Sequence, residues 1–280
     1  MRWGSGSSSA RDRLTERGRL SRAGLNRARG HGCRLTAMVT GRESWVPDEL
    51  ATAGREHLDP AHAARYDAKE DANAAAEVAM LCGLGLASRP HVVDLGAGTG
   101  QFTLEVAERA SRVVAVDVSP HMLAQLRGKL EQARVANVEC VQAGFLTYEH
   151  TGAPADLVYS RLALHHLPDF WKAVALARIA DLLAPGGLLR LSDVVYGFEP
   201  RETAASFERW LGENASPCAA DGWTRAELEE HLRDEHSTLT WLLEPMLAHA
   251  GFAIVDATYS DDGMLASYVC RRAPAVSQPH

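Results

Sequence analysis

The sequence predicts an α/β protein built on a doubly wound, mainly parallel sheet of seven strands, and three observations carry that expectation. Val92 to Leu95 is a short apolar run ending in Gly96-Ala-Gly-Thr-Gly100, the pattern of a buried strand that turns tightly into a helix. Strand-like runs at 91–95, 112–117, 137–142, 156–160 and 187–193 alternate with helical stretches, as crossover-connected parallel strands require. Two closing runs, 252–259 and 264–271, flank Asp261-Asp-Gly263, a hairpin signal that adds an antiparallel end to the sheet.

Taken in order, residues 1–37 are Gly-, Ser- and Arg-rich and aperiodic, with nine arginines against two acidic residues. Such a segment buries too little to fold and reads as a disordered tail. A nucleic-acid-binding arm and a targeting peptide are two readings of it. The plainer one is sequence upstream of a start at Met38. Residues 38–86 are alanine-rich and helical in pattern, with Asp59-Pro60 as a helix start, and form an N-terminal cap leading into the first core helix. Residues 87–196 are the core of the sheet. Residues 197–250 read as a helical insertion, with helices near 201–213, 224–235 and 238–250. Thr224-Arg-Ala-Glu227 is a capping box for the second of these. Gly251 is placed as a helix C-cap before the final hairpin of 251–280.

The glycine loop carries the first functional signal. Glycine permits positive φ and lets a ligand approach the bare N–H groups of a helix N-terminus. About twenty residues on, Val113-Val-Ala-Val-Asp117 ends in a carboxylate placed to accept hydrogen bonds from a ribose diol. A dinucleotide fingerprint is spaced G-x-G-x-x-G, whereas these glycines fall as G-x-G-x-G. The run Asp94-Leu-Gly-Ala-Gly-Thr-Gly100 instead resembles the first motif of the class I S-adenosylmethionine-dependent methyltransferases. Ala155 to Asp169, containing Leu164-His-His-Leu-Pro-Asp169, resembles that family's fourth strand and the loop after it. Leu183-Ala-Pro-Gly-Gly-Leu-Leu-Arg-Leu-Ser-Asp193 resembles its helix end, turn and fifth strand. Ordered matches over residues 92–193 are far more specific than any one alone. They are most similar to the small-molecule branch with the His-His-Leu-Pro-Asp loop, which includes quinone-biosynthesis methyltransferases.

The resemblance implies a Rossmann-like methyltransferase sheet, S-adenosylmethionine as cofactor and a small-molecule methyl acceptor. It puts Asp94, Gly96, Ala97, Gly98 and Gly100 around the methionine part of the cofactor, Asp117 on the ribose, and Val118 against adenine. Gly144 and Phe145 follow the third strand, with Phe145 where the family commonly has an acid for the adenine amine. Ser160 and Arg161 close the fourth strand, where donor sulfur and acceptor meet. Many acceptors must lose a proton to attack, and histidine titrates in the useful range. His165 and His166 are therefore base candidates beside a cofactor-shelf role, and Arg161 a candidate for steering an acidic acceptor. Tyr148, Tyr196, Trp223 and His231 are candidate acceptor-pocket residues. His231 and Glu235, at i and i+4, share a helix face; no metal is expected from the spacing.

Bulk properties narrow the classes. The 280 residues are 46% hydrophobic and 23% charged, with net charge −7, and this acidic balance argues against phosphate-driven nucleic-acid binding. No apolar run is long enough to span a membrane. Cys33, Cys82, Cys140, Cys218 and Cys270 are scattered, without disulfide or zinc spacing, which suits a cytoplasmic protein. Arginine makes up 26 of the 29 basic residues, and only Lys69, Lys129 and Lys172 are lysine, a bias of high-GC bacterial sequences. A monomer or homodimer is expected. Two alternatives stand beside methyl transfer. One is a nicotinamide-dependent oxidoreductase, disfavoured by the glycine spacing and by the lack of a lysine four residues after any tyrosine. The other is a non-catalytic S-adenosylmethionine-binding protein, for which Phe145 is the argument.

Overall fold

The computed structural model describes residues 43–54, 67, 72–218 and 222–273. The tail of 1–37 and the helix start at Asp59-Pro60 lie outside the described residues. Among the described residues eight strands form one sheet: β1 (His91–Leu95), β2 (Arg112–Asp117), β3 (Val138–Gln142), β4 (Ala155–Arg161), β5 (Leu183–Tyr196), β6 (Thr238–Leu239), β7 (Phe252–Tyr259) and β8 (Leu265–Arg272). Their order is β3-β2-β1-β4-β5-β8-β7, with the short β6 beside β5. Strands β1 to β5 are mutually parallel where they pair, while β8 runs antiparallel to both β5 and β7. The doubly wound class with an antiparallel end is therefore present.

Two details differ from the sequence reading. β5 begins at Leu183, because Leu183 pairs with Ala155 before Pro185-Gly-Gly187 bulges out, with Gly186 at φ +79°, and pairing resumes at Leu157 and Leu188. Thr238 and Leu239, expected to open a helix, pair with Val195 and Tyr196 as β6.

The helices whose bounds fall among the described residues are α1 (Glu49–Thr52), α2 (Ala74–Gly83), α3 (Gln101–Ala107), α4 (Pro120–Ala133), α5 (Asp169–Leu182), α6 (Thr203–Asn214), α7 (Arg225–Asp234) and α8 (Thr240–His249). Local chemistry fixes their ends. Ser119 accepts the Met122 N–H at 3.2 Å and Pro120 occupies the first turn of α4, where a missing N–H costs nothing. Thr224 and Glu227 close a reciprocal capping box on α7.

Strand alternation divides the core. Val93, Leu95, Val114, Val116, Val158, Leu189 and Leu191 share one cluster with Leu176 and Ile179 of α5 and Leu243 and Leu247 of α8. The neighbouring Val92, Val113, Leu157 and Leu188 join Val78 and Leu81 of α2 and Phe102 and Val106 of α3. Consecutive residues thus serve opposite faces, and each fully buried aliphatic side chain contributes roughly 1.5–3 kcal/mol. Arg190 of β5, 6% exposed, donates from Nε and Nη2 to the two oxygens of Glu77 on α2, both at 2.7 Å. This bidentate pair ties the first core helix to the sheet.

Glu77→Ala would leave the Arg190 guanidinium buried without its carboxylate. We expect a loss of about 3 kcal/mol, measured by denaturant unfolding; an unchanged midpoint would mean that the pair does not hold α2.

Candidate functional site

The carboxyl ends of β1 to β5 lie at one edge of the sheet, and the loops leaving them enclose two neighbouring cavities. The first is lined by Leu95, Gly96 and Gly98 after β1, Asp117 and Val118 after β2, Gly144 and Phe145 after β3, and Arg161 to Ala163, His166 and Leu167 after β4. Glu49 of α1 also enters it.

The glycine loop folds back on β2, with the N–H groups of Gly96 and Ala97 both donating to the Val116 carbonyl at 2.9 and 3.0 Å. Gly96 has φ +76°, and a Cβ there would lie 2.4 Å from the Cβ of Ala163, so the β1 and β4 loops touch through a bare Cα. Asp117, 7% exposed, accepts the Gly98 N–H at 2.8 Å and the Ser119 N–H at 2.7 Å. Those bonds aim its carboxylate at the cavity beside the apolar Val118. Asp67 braces the outside of the loop, paired with Lys129 at 2.5 Å and bonded by Thr99, while Lys129 donates to the Thr99 carbonyl at 2.9 Å.

Asp94, Ala97 and Gly100 line neither cavity. Asp94 is 2% exposed and accepts the Thr103 hydroxyl at 2.5 Å. Burial, countered by that bond and reinforced by Asp117, pushes its carboxyl up to about 7. Ala97 packs with Leu104 on the α4 side, and Gly100 caps α3.

The second cavity, about 380 Å³, lies between the ends of β4 and β5 and the helices α6 and α7, within the usual range for a small ligand. Arg161, His165, Tyr196, Trp210, Trp223, His231 and Glu235 line it. Arg161 and Leu162 belong to both cavities, and Leu162 holds a non-glycine φ of +50°. Backbone strain at the junction of two cavities is characteristic of functional sites.

The adjacent histidines part company here: His166 faces the first cavity and His165 the second. His165, 5% exposed, meets Asp193 at 2.5 Å through Nδ1 and Glu235 at 3.3 Å through Nε2. Glu235 in turn meets His231 Nδ1 at 2.5 Å, and the Trp223 ring stands edge-on to His231 at 5.1 Å. The result is a chain Asp193–His165–Glu235–His231 in which acids and bases alternate, buried at Asp193 and His165 and half-buried at His231. With Nδ1 donating to Asp193, Nε2 and the Glu235 carboxylate are two acceptors facing each other, so the gap between them is a place where an incoming proton would be held by both. Atoms of His165, His166 and Glu235 lie within 4.8 Å of one another, with the rings of the two histidines 4.3 Å apart.

Two sequence candidates sit elsewhere. Tyr148 is buried, with its hydroxyl 2.8 Å from His150 Nδ1, and burial pushes its phenol up to about 12. It lies beneath the turn after β3 and lines neither cavity, because Arg178 of α5 holds that turn through the carbonyls of Phe145 and Tyr148. Ser160 is fully buried, one residue short of the strand end and still inside the sheet.

Asp193 and Glu49 carry no site signal in the sequence, and Glu235 carries only its pairing with His231. Asp193 ends a motif read only as a strand. Glu235 shows the i, i+4 relation to His231 but no sign of His165. Glu49 has no local signal at all.

The family model described as a methyltransferase domain matches residues 92–187. An uncharacterised methyltransferase of Geobacillus kaustophilus is 31% identical over 105 residues, covering 38% of this chain and 47% of that protein. A trans-aconitate 2-methyltransferase of an Azoarcus species is 34% identical over 143 residues, 50% of this chain and 51% of the relative. The chain spans about half the length of these curated relatives. A solved S-adenosylmethionine-dependent methyltransferase of Clostridium acetobutylicum superposes with TM-score 0.60 at 15% identity, over 75% of this chain and 97% of that one, a likeness of fold.

Asp94 gives the site a pH signature. A carboxyl raised to about 7 in the folded chain and about 4 when unfolded contributes stability at acid pH that is lost as pH rises through 7. Asp94→Asn, neutral throughout, should melt above wild type at pH 8, with the gap closing towards pH 5. A gap independent of pH would show that Asp94 is ionised in the folded chain across that range.

Proposed function

We propose that the chain is a class I S-adenosylmethionine-dependent methyltransferase, a reading supported by the matched methyltransferase domain and the methyltransferase relatives, and that it methylates a small anionic organic acceptor bound in the second cavity. The observation that carries this reading is the shared wall: Arg161 and Leu162 line both cavities, so two ligands would meet at the end of β4.

The first cavity suits the cofactor. Its buried carboxylates oppose apolar Val118, Phe145 and Leu167, a setting for a cation that also carries a ribose and a flat base. When bound, the cofactor supplies an electrophilic methyl group on sulfur. Asp117 holds the ribose diol, the glycine loop accepts close approach of the methionine part, and His166 serves as a shelf.

Everything else falls to the chain. Arg161 orients an acidic group of the acceptor, a role that fits a relative named for trans-aconitate. Tyr196, Trp210 and Trp223 enclose the acceptor and exclude water. Orientation of this kind can supply roughly 7–11 kcal/mol of a barrier. Glu235 takes the acceptor's proton, and His165, fixed by Asp193, shares the charge that results. The placement in the branch with the His-His-Leu-Pro-Asp loop belongs to this reading, supported by the division of labour between the two histidines. So does a cytoplasmic location, supported by Cys82, Cys140 and Cys270 outside any disulfide and by the absence, among the described residues, of a helix long and apolar enough to cross a membrane.

Calorimetric titration with S-adenosylhomocysteine and NADH in parallel tests the cofactor. Micromolar binding of the sulfur compound alone is expected, and Asp117→Ala should weaken it by about tenfold or more. Nicotinamide binding instead would overturn the reading. With an acceptor found among small carboxylic acids, Glu235→Gln should lower kcat by about 100-fold or more and leave S-adenosylhomocysteine affinity unchanged. Equal losses in both would remove Glu235 from proton transfer.

A further inference from the structure

The carboxylate of Glu49 is the most unusual feature of the first cavity, since it belongs to a four-residue helix remote from every strand-end motif. It is 8% exposed and accepts the Leu146 N–H at 3.0 Å and the Thr147 hydroxyl at 3.3 Å, both on Oε2. Burial raises its carboxyl, opposed by the bonds from Leu146, Phe145 and Thr147 and by the charge of Arg178. Taking a carboxylate out of water costs several kcal/mol, so its place in a ligand cavity calls for a reason.

Gly144 supplies the geometry. A Cβ built on Gly144 would lie 2.3 Å from the Glu49 carboxyl carbon and 2.3 and 2.4 Å from its two oxygens. The Glu49 carboxylate therefore occupies the space that a side chain at the end of β3 would fill, and it caps the 145–147 turn as such a side chain would. The segment that delivers it is anchored on both sides. Asp48 caps α1 through the N–H groups of Leu50 and Ala51, and Trp45 stacks on Trp171 of α5 at 6.1 Å.

We infer that Glu49, reaching across from α1 into the space left by Gly144, is the group that recognises the exocyclic amine of a 6-aminopurine in the cofactor cavity. The inference rests on the cofactor reading above. Asp117, at the end of β2, takes the ribose; Val118 and Phe145 flank the next stretch of the cavity, and Glu49 closes it at the end of β3. A base attached to that ribose extends along this line. An ionised carboxylate accepts at about four lone-pair sites, so capacity remains beyond the bonds from the turn. A 6-amino group donates to it, whereas a 6-oxo group presents an oxygen that it repels. A site built around a buried acceptor rejects ligands that leave it unpaired far more strongly than an apolar site can. The adenine preference of the cavity would thus come from the N-terminal cap and not from the sheet.

The experiment measures Kd by calorimetry for S-adenosylhomocysteine and its 6-oxo analogue, S-inosylhomocysteine, with full-length wild type, E49A, E49Q, G144D and the double variant E49A/G144D. Wild type should prefer the 6-amino ligand by at least about tenfold. E49A should lose most of that preference, and E49Q should lose it too, because an amide can turn either its oxygen or its NH2 to the base. G144D alone should bind poorly, with two carboxylates competing for one place, while E49A/G144D should regain both affinity and preference. If E49A and E49Q keep the wild-type preference, or if the double variant melts like wild type yet recovers nothing, Glu49 does not recognise the base. Failure of wild type to bind S-adenosylhomocysteine at all would instead overturn the cofactor reading, and this inference with it.

Discussion

The site depends on one constraint: parallel strands present all their carboxyl ends at the same edge of a sheet. Because β1, β2, β4 and β5 pair in parallel, with β3 beside β2, five loops converge there. Their polar ends face one another across a narrow space. The antiparallel β8 and β7 extend the sheet past β5 and cover what would otherwise be an exposed flank, and the hairpin between them returns to the same edge, where Met264 and Leu265 line the second cavity. The contact of Gly96 with Ala163, where a single added carbon would meet a side chain at 2.4 Å, shows how closely the first and fourth loops must approach for the two cavities to share a wall.

Convergence crowds acids together, and the structure handles each differently. Asp117 is met by two loop N–H groups. Asp94, deeper and with one hydroxyl partner, has its carboxyl pushed up to about 7 by burial. Glu49 is held by the turn after β3. Asp193 and Glu235 are bridged by His165. These are costly arrangements in a stability account, and all lie at or beside the same two cavities. The hydrophobic clusters on the two faces of the sheet supply the stability that makes them tolerable.

The two cavities also differ in character. The first is built from loops of the sheet, with α1 as an outside contributor, and is shaped by backbone. The second is walled on one side by α6 and α7 and is shaped by large side chains. A cavity shaped by backbone and a neighbouring one shaped by side chains can vary independently, since changing Trp210 or Trp223 leaves the glycine loop untouched.

The sequence by itself determined the sheet, the glycine loop, Asp117 at the end of β2 and the paired histidines after β4. Each of these is a local signal: a run of apolar residues, a break, a glycine or a carboxylate at fixed spacing, whose period reflects the geometry of a strand or a turn. Only the tertiary structure decided which side chains meet. Glu49 and Gly144 are far apart in the chain, as are His165, Asp193 and Glu235, and nothing in local periodicity encodes a contact made by packing one element on another. For the same reason Tyr148, two residues from His150 and held under its turn by Arg178, left the pocket that its position beside a strand end had suggested. The division between His165 and His166 was likewise settled by the one-turn 3-10 helix at Leu164–His166, which sends consecutive side chains to different cavities, a choice that depends on what each finds there to bond.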